Sequence, residues 1–128
     1  MADNIPDTIV WTEIPTKDMD KSMAFYNAVF GYDMTINNDG PNPLAFFPSA
    51  QGAQSPKTHG HIYPGKPATN GEGPTLHFGV ADTVEDAIDR CKAAGGQVIS
   101  PVIDIPPGRF AYALDLDGNS IAFFEAKG

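Results

Sequence analysis

The chain has 128 residues, of which 41% are hydrophobic and 19% charged, and its formal net charge is −8 at pH 7. This length is that of one ordinary domain, and this composition is typical of a globular protein. The negative charge disfavours nucleic acid and anionic membranes as partners, no apolar run is long enough to cross a bilayer, and no secretory signal pattern is present, so we expect a cytoplasmic protein.

The first predicted elements are a strand and an amphipathic helix. Residues 8–14 are mostly β-branched, aromatic or otherwise apolar, which favours a strand. Asp18 is suited to cap a helix over 19–30, where apolar residues recur at steps of four, three and four, and Gly31 is a typical helix end. Three short strands separated by turn residues are predicted to follow, at 32–36, 44–48 and 58–63.

The second half of the chain repeats this pattern. A strand is predicted at 75–80, and Asp82, with Glu85 three residues later, is predicted to cap a second amphipathic helix over 83–94. Cys91 lies on the apolar stripe of that helix and is the only cysteine, so we expect no disulfide and an unreactive thiol. The last three predicted strands cover 97–100, 109–114 and 120–125.

The two halves are related by an internal duplication. Asp18 and Asp82 are 64 residues apart, which is half the length of the chain. We therefore predict a single α+β domain over 1–128, made of two tandem βαβββ modules at about 7–63 and about 75–126. The stretch between them, about 64–74, is rich in Pro, Gly, Lys and Asn, which is typical of an exposed linker.

Short motifs occur in order along both modules. They are Trp11-Thr12-Glu13-Ile14-Pro15, Asp18, Phe25-Tyr26, Phe30-Gly31-Tyr32, Phe78-Gly79-Val80-Ala81-Asp82, Ala94-Gly95-Gly96 and Asp115-Leu116-Asp117-Gly118-Asn119. In order and spacing, over nearly the whole chain, they resemble the vicinal oxygen chelate superfamily, which includes glyoxalase I, extradiol dioxygenases, methylmalonyl-CoA epimerase and the fosfomycin and bleomycin resistance proteins. The resemblance implies a curved mixed sheet around a cavity, helices on the convex face, and a homodimer.

In catalytic members of that family, four strand residues bind one divalent ion. The first and third ligands lie seven residues before the capping Asp of each module, and these positions hold Trp11 and Thr75 here. The fourth lies four residues after the Gly of the last turn, where this chain has Ala122. None of the three is a strong ligand, and His59 or His61 could supply only the second. We therefore expect no metal cofactor, with a divalent ion at His59 and His61 as the alternative.

Strand alternation suggests different chemistry for the same strands. Side chains two residues apart share a face, so Glu13 accompanies Trp11 and His77 accompanies Thr75. Glu13 and His77 each lie five residues before the Asp of their module, which predicts that they are counterparts facing one cavity. A carboxylate and an imidazole there could act as general base and acid, or could simply satisfy each other or a buried backbone group.

Aromatic residues and one arginine are the other candidates for ligand contacts. Aromatic side chains can wall a pocket or form plain core, and the candidates are Trp11, Tyr63, Tyr112 and either Phe46 or Phe47. Arg109 begins a predicted strand and can clamp a ligand carboxylate or phosphate. We favour an ion pair between Arg109 and one of the many surface acids.

The sequence thus predicts a small-molecule-binding protein of the glyoxalase and bleomycin-resistance type that lacks the usual metal ligands. The alternative is a lyase or isomerase of the glyoxalase type, in which Glu13 and His77 move a proton next to the carbonyl of a small substrate. A metalloenzyme using His59 and His61 is a third possibility. The identity of the ligand does not follow from the sequence.

Overall fold

The computed structural model describes residues 9–48 and 59–128, and the elements below belong to those ranges. The first module contains β1 (Thr12–Thr16), α1 (Met19–Phe30), β2 (Ile36–Asn37), β3 (Leu44–Phe46) and β4 (Gly60–Pro64). The second contains β5 (Leu76–Gly79), α2 (Val84–Ala93), β6 (Gln97–Val98), β7 (Ile103–Ile105), β8 (Gly108–Leu114) and β9 (Ser120–Ala126). One turn of 3-10 helix, Thr69–Gly71, lies between the modules.

The two modules build sheets with the same topology. The strand order is β1-β4-β3-β2 in the first sheet and β5-β9-β8-β6 in the second, where β7 also pairs with β8. In each sheet the opening strand runs parallel to the last strand of its module, and the other pairs are antiparallel. Neither sheet closes on itself, and the repeated order confirms the predicted α+β fold of two βαβββ copies.

The ends of α1 agree with the sequence analysis. The Asp18 carboxylate accepts a hydrogen bond from the backbone N–H of Lys21 at 3.1 Å. Gly31 ends the helix in the left-handed conformation, with φ of 73°, which glycine adopts without steric cost. This tight end directs the chain back toward the sheet.

The predicted cap of α2 was wrong by one residue. Thr83 caps this helix, because its hydroxyl accepts from the backbone N–H of Asp86 at 3.1 Å. Asp82 instead forms an ion pair with Arg90, whose two terminal nitrogens donate to its carboxylate at 2.6 and 3.0 Å. The guanidinium lowers the pKa of Asp82 and draws the side chain away from the helix end.

Strand boundaries shifted at several places. β1 continues to Thr16, which pairs with Pro64. The strand predicted at 32–36 is reduced to the two residues of β2, Ile36–Asn37. β7 was not predicted; Pro106 and Pro107 form the tight turn of a hairpin between β7 and β8. Parts of the predicted strands, residues 8 and 58, lie outside the described residues.

One apolar core spans both modules. It lies between the helices and the sheet faces that carry Ile14, Ile62, Ala111, Ala113, Ile121 and Phe123. Tyr26 of α1 joins the modules, because its ring contacts Phe78 of β5 at a centroid distance of 5.5 Å and its hydroxyl donates to Asp115 at 2.6 Å. Burial and the adjacent carboxylate raise the pKa of Tyr26, so it stays a neutral donor.

The turn between β8 and β9 also fixes the position of β1. The hydroxyl of Thr16 donates to the Asp117 carboxylate at 2.6 Å, and the Asn119 side-chain amide donates to the carbonyl of Pro15 at 3.0 Å. β1 is therefore held by β4 on one side and by the second module at its end. In the part of the chain that the structure describes, no helix has the length and apolarity needed to span a bilayer.

Candidate ligand-binding site

Each sheet has one face against the helices and one outer face without them. Along β1, β4 and β3 the outer face carries Glu13, His61 and Phe46 in one row, because these residues are direct partners in the strand register. The corresponding row of β5, β9 and β8 carries His77, Ala122 and Tyr112. We call the first set, with its neighbours Trp11 and Tyr63, the module 1 face. We call the second set, with its neighbours Phe110 and Phe124, the module 2 face.

A chain of hydrogen bonds runs across the module 1 face. The indole Nε1 of Trp11 donates to Nδ1 of His61 at 3.2 Å, and Nε2 of His61 lies 3.1 Å from Oε1 of Glu13. Since an indole N–H can only donate, Nδ1 must accept, so the proton of the neutral imidazole is on Nε2 and points to Glu13. Trp11 thereby sets the tautomer of His61, and His61 orients the Glu13 carboxylate.

The module 1 face is open to solvent around this chain. His61 is only 7% exposed, whereas the Glu13 side chain is 63% exposed. The rings of Trp11 and Phe46 are 42% and 37% exposed, which is high for large apolar side chains. Tyr63 lies on the far side of His61 at a ring distance of 6.0 Å. The face therefore presents aromatic surface and one carboxylate.

The close approach of β4 to β1 depends on Gly60. A Cβ atom at this position would lie 2.1 Å from the backbone carbonyl oxygen of Thr12, and the residue has φ of 155°. Any side chain here would push the two strands apart. Gly60 precedes His61, so its small size helps to bring the imidazole within hydrogen-bonding distance of Glu13.

The module 2 face is built from rings around an imidazole. His77 lies 5.1 Å from Phe110, 5.9 Å from Tyr112 and 6.3 Å from Phe124 in centroid distance. The described residues give its imidazole no hydrogen bond, and partial burial lowers the pKa of His77 below its ordinary value. Ala122, its register partner, is fully buried. This face holds no counterpart of the Glu13 and His61 pair.

Two cavities lie side by side between β1 and β5. The Trp11 cavity, of about 340 Å³, is bordered by Trp11, Glu13, Lys66 and Ser120, among others. The His77 cavity, of about 520 Å³, is bordered by Tyr32, Phe47, His59, Thr75 and His77, among others. Their common wall contains Thr12, Pro74 and Leu76. Both volumes lie within the range of cavities that take small organic molecules.

The structure separates several residues that the sequence analysis grouped together. Glu13 and His77 border neighbouring cavities, and the imidazole beside Glu13 is that of His61. Trp11 and Thr75 are divided in the same way, and the Thr75 hydroxyl forms a hydrogen bond with Ser120. Ala122 lies on the module 2 face but borders neither cavity.

The aromatic and arginine candidates also have distinct positions. Phe46 lies on the module 1 face, whereas Phe47 packs in the core against Tyr26 and contributes to the wall of the His77 cavity. Arg109 lies on the helix side of β8, where its guanidinium donates to both oxygens of Glu85 at 2.7 and 2.6 Å. Arg109 therefore faces away from both aromatic faces.

Residues of the module 2 face, Phe110 and Phe124, were not singled out from the sequence. Their signal was the alternation along β8 and β9, in which they occupy the same face as Tyr112 and Ala122. The thiol of Cys91 is buried in the core, and burial raises its pKa to about 11, which makes it a poor nucleophile.

The donor atoms near the module 1 face do not fit a metal ion of the family type. Among residues 9–48 and 59–128, no group of three or more His, Cys, Asp or Glu side chains is arranged to hold a metal. Glu13 and His61 supply two donors, but their neighbours on the face, Trp11, Phe46 and Tyr63, bring none of the usual metal-binding atoms. His59 is exposed at the rim of the His77 cavity.

Paired βαβββ modules whose sheets do not close, with adjoining cavities between their opening strands, define an α+β protein of the glyoxalase-type fold. A family model extends this assignment to the sequence. The chain belongs to the Glyoxalase/Bleomycin resistance protein/Dioxygenase superfamily, whose model matches residues 8–123.

Solved structures of this superfamily are similar over nearly the full chain. A glyoxalase/bleomycin resistance protein from Albidiferax ferrireducens T118 is 24% identical, with a TM-score of 0.70 over 92% of this chain and 98% of that one. FosX, a fosfomycin resistance protein from Listeria monocytogenes, is 18% identical, with a TM-score of 0.68 over 96% of each chain. TnmS3, an antibiotic binding protein from Streptomyces sp. CB03234, is 19% identical, with a TM-score of 0.61 over 95% of this chain and 98% of that one. At these identities the likeness establishes the fold, and no protein of curated function matches the chain.

Proposed function

We propose that this protein binds a small organic molecule in the Trp11 cavity and on the adjoining module 1 face, without a metal ion. The observation that carries the proposal is the exposure of Trp11 and Phe46, whose rings contact each other and the imidazole of His61 beside Glu13. Large rings left in water beside an oriented polar group are the usual composition of a binding site: apolar walls supply affinity and a few polar atoms supply orientation.

The relatives are consistent with such a role. FosX is a fosfomycin resistance protein and TnmS3 is an antibiotic binding protein, so this fold is used by proteins that encounter small molecules. Function still depends on the site and not on the fold. In this chain the site has no cluster of metal ligands among the described residues, which favours binding over metal-dependent chemistry.

A fragment titration followed by NMR tests the proposal. The chain has one tryptophan, so the indole N–H of Trp11 gives a single side-chain resonance that reports on this face alone. We expect a panel of small aromatic fragments to contain members that shift this resonance together with the backbone amides of β1. Fragments that bind only at the module 2 face or at the helices would contradict the proposal.

We also propose that the protein is a homodimer, as the family resemblance implies, and that it is cytoplasmic, as the sequence pattern suggests. Exposed apolar side chains away from the module 1 face, such as Ile99 and Ile105, provide surface that a second copy could cover. Light scattering after size-exclusion chromatography should give twice the chain mass of 13.6 kDa. A monomeric mass at micromolar concentration would contradict this part of the proposal.

Proton transfer next to a carbonyl is the alternative function. The geometry supports Glu13 as the base, because His61 orients its carboxylate and most of that side chain is exposed. Exchange of the α-protons of hydroxyacetone in D₂O would detect this activity. Because His61, and not the expected partner His77, lies beside Glu13, we expect Glu13→Gln to abolish the exchange and His77→Asn to retain it. A wild-type rate equal to that of buffer excludes this activity for hydroxyacetone.

A further inference from the structure

We propose that the ligand is an organic cation whose substituted ammonium group lies on the module 1 face, against the rings of Trp11 and Phe46 and beside the carboxylate of Glu13, next to the Trp11 cavity. This inference rests on the proposed function and adds the chemical class of the ligand. Three features of the molecule support it: the arrangement of the rings, the exposed carboxylate, and the engagement of both arginines elsewhere.

The rings of the module 1 face are arranged as walls and not as a stack. The centroids of Trp11 and Phe46 are 6.3 Å apart, and their planes meet at 72°. Two rings at this angle leave π surface exposed, and a cation is attracted to the electron-rich face of a ring, most strongly to that of tryptophan. The exposure of 42% for Trp11 and 37% for Phe46 leaves this surface accessible to a ligand.

The charge of the module 1 face is that of Glu13. Its side chain is 63% exposed and borders the Trp11 cavity. Both nitrogens of His61 are occupied, one by the Trp11 indole and one by Glu13 itself, so the imidazole offers no free donor to an anionic ligand. A cation gains from the carboxylate, whereas a carboxylate or phosphate ligand would be repelled by it.

The groups best suited to bind anions are engaged elsewhere. The two arginines of the chain are Arg90, paired with Asp82, and Arg109, which pairs with Glu85 and Glu125. Lys66 also borders the Trp11 cavity, but among the described residues it forms no ion pair with Glu13, and its exposed ammonium is well solvated. The net charge of −8 adds a long-range attraction for cations.

A pair of probes with the same shape and different charge tests the inference. Choline carries a trimethylammonium group, and 3,3-dimethyl-1-butanol is its uncharged carbon analogue. Both are titrated at constant ionic strength against the indole resonance of Trp11 in the wild-type protein. We expect choline to bind at least about threefold more tightly than the alcohol, as a cation over exposed rings should.

Two variants with the same change in net charge locate the effect. Glu13→Gln should remove most of the preference for choline, a loss of about threefold in its affinity, which is the range for an exposed ion pair. Asp89→Asn, on the exposed side of α2, should leave the preference unchanged. Phe46→Leu keeps apolar bulk but removes the ring, and it should weaken choline by about threefold while leaving the alcohol unaffected.

The outcomes separate this inference from the proposed function. Equal or tighter binding of the alcohol, or an equal loss in Glu13→Gln and Asp89→Asn, would overturn the inference, whereas neutral fragments that shift Trp11 would still support the binding site. If choline leaves the Trp11 resonance unchanged, the inference fails. If the aromatic fragments leave it unchanged as well, the proposed function fails with it.

Discussion

The two modules place different chemistry on equivalent rows of their two sheets. In the first, Glu13, His61 and Phe46 form a row with a hydrogen-bonded polar pair and an exposed ring. In the second, the row is His77, Ala122 and Tyr112, where the position of His61 is taken by an alanine. His77 therefore pairs with an apolar residue, and the rings of Phe110, Tyr112 and Phe124 lie around it.

Under the proposed function, the first copy serves binding, whereas the rings of the second face contribute mainly to packing. The rings around His77 include Phe110, which is only 6% exposed, whereas Phe46 on the first face is 37% exposed. Buried rings stabilise the fold, and exposed rings beside an oriented carboxylate are available to a ligand. The substitutions below test this division of roles.

The largest expected effect is on stability, from removal of a ring on each face. Phe110→Ala should reduce the free energy of unfolding by about 3–5 kcal/mol, because it leaves a cavity in a packed region. Phe46→Ala, the matched variant, should change it by less than about 1 kcal/mol, because the ring is already partly in water. Urea unfolding of both variants measures the two losses, and losses of equal size would contradict the division of roles.

A smaller loss of stability is expected when a methyl group is added at Gly60 of the first module, with Gly79 of the second module as the matched position. Gly60→Ala should cost about 1–3 kcal/mol, since the new Cβ would collide with the Thr12 carbonyl at a strained φ. It should also shift the Trp11 indole resonance by disturbing its bond to His61. At Gly79 of β5 a Cβ meets nothing within 4 Å, so Gly79→Ala should have little effect. A Gly60→Ala protein with unchanged stability and an unchanged Trp11 resonance would show that the close approach of β4 to β1 is not needed.

The smallest expected effect is a pH dependence that arises from the second face. The pKa of His77 is lowered in the folded state, so the unfolded chain binds more protons as the pH falls through the ordinary histidine range. Acidification from about pH 8 to about pH 5 should therefore lower the melting temperature, and His77→Gln should reduce that decrease. If the melting temperatures of wild type and variant decrease by the same amount over this pH range, the imidazole of His77 makes no contribution.

Much of the fold could be predicted because its signals are local. The duplication is visible in the spacing of Asp18 and Asp82, and the cap and end of α1 follow from Asp18 and Gly31. The cap of α2 was missed because Asp82 is engaged by Arg90, eight residues further along the chain, and this competing ion pair leaves the cap to Thr83. Local pattern alone does not show which acid a nearby arginine will engage.

The candidate site was less accessible from the sequence. Alternation correctly grouped Glu13 with Trp11, but the partner of Glu13 depends on the register between β1 and β4, and a shift of one residue would exchange His61 for Ile62. The symmetry between modules instead suggested His77, which lies at the next cavity. Phe46 and Phe47 were equivalent candidates in the sequence. In the structure Phe46 pairs with His61 and is exposed, whereas Phe47, the next residue, is buried.

The most direct test of binding on the module 1 face is to determine where a bound probe lies. Intermolecular NOEs from the N-methyl protons of choline, or from a fragment that shifts Trp11, identify the rings that it contacts. We expect NOEs to the ring protons of Trp11 and Phe46 on the module 1 face. NOEs confined to Phe110 and Tyr112 would place the ligand on the module 2 face and contradict the proposal.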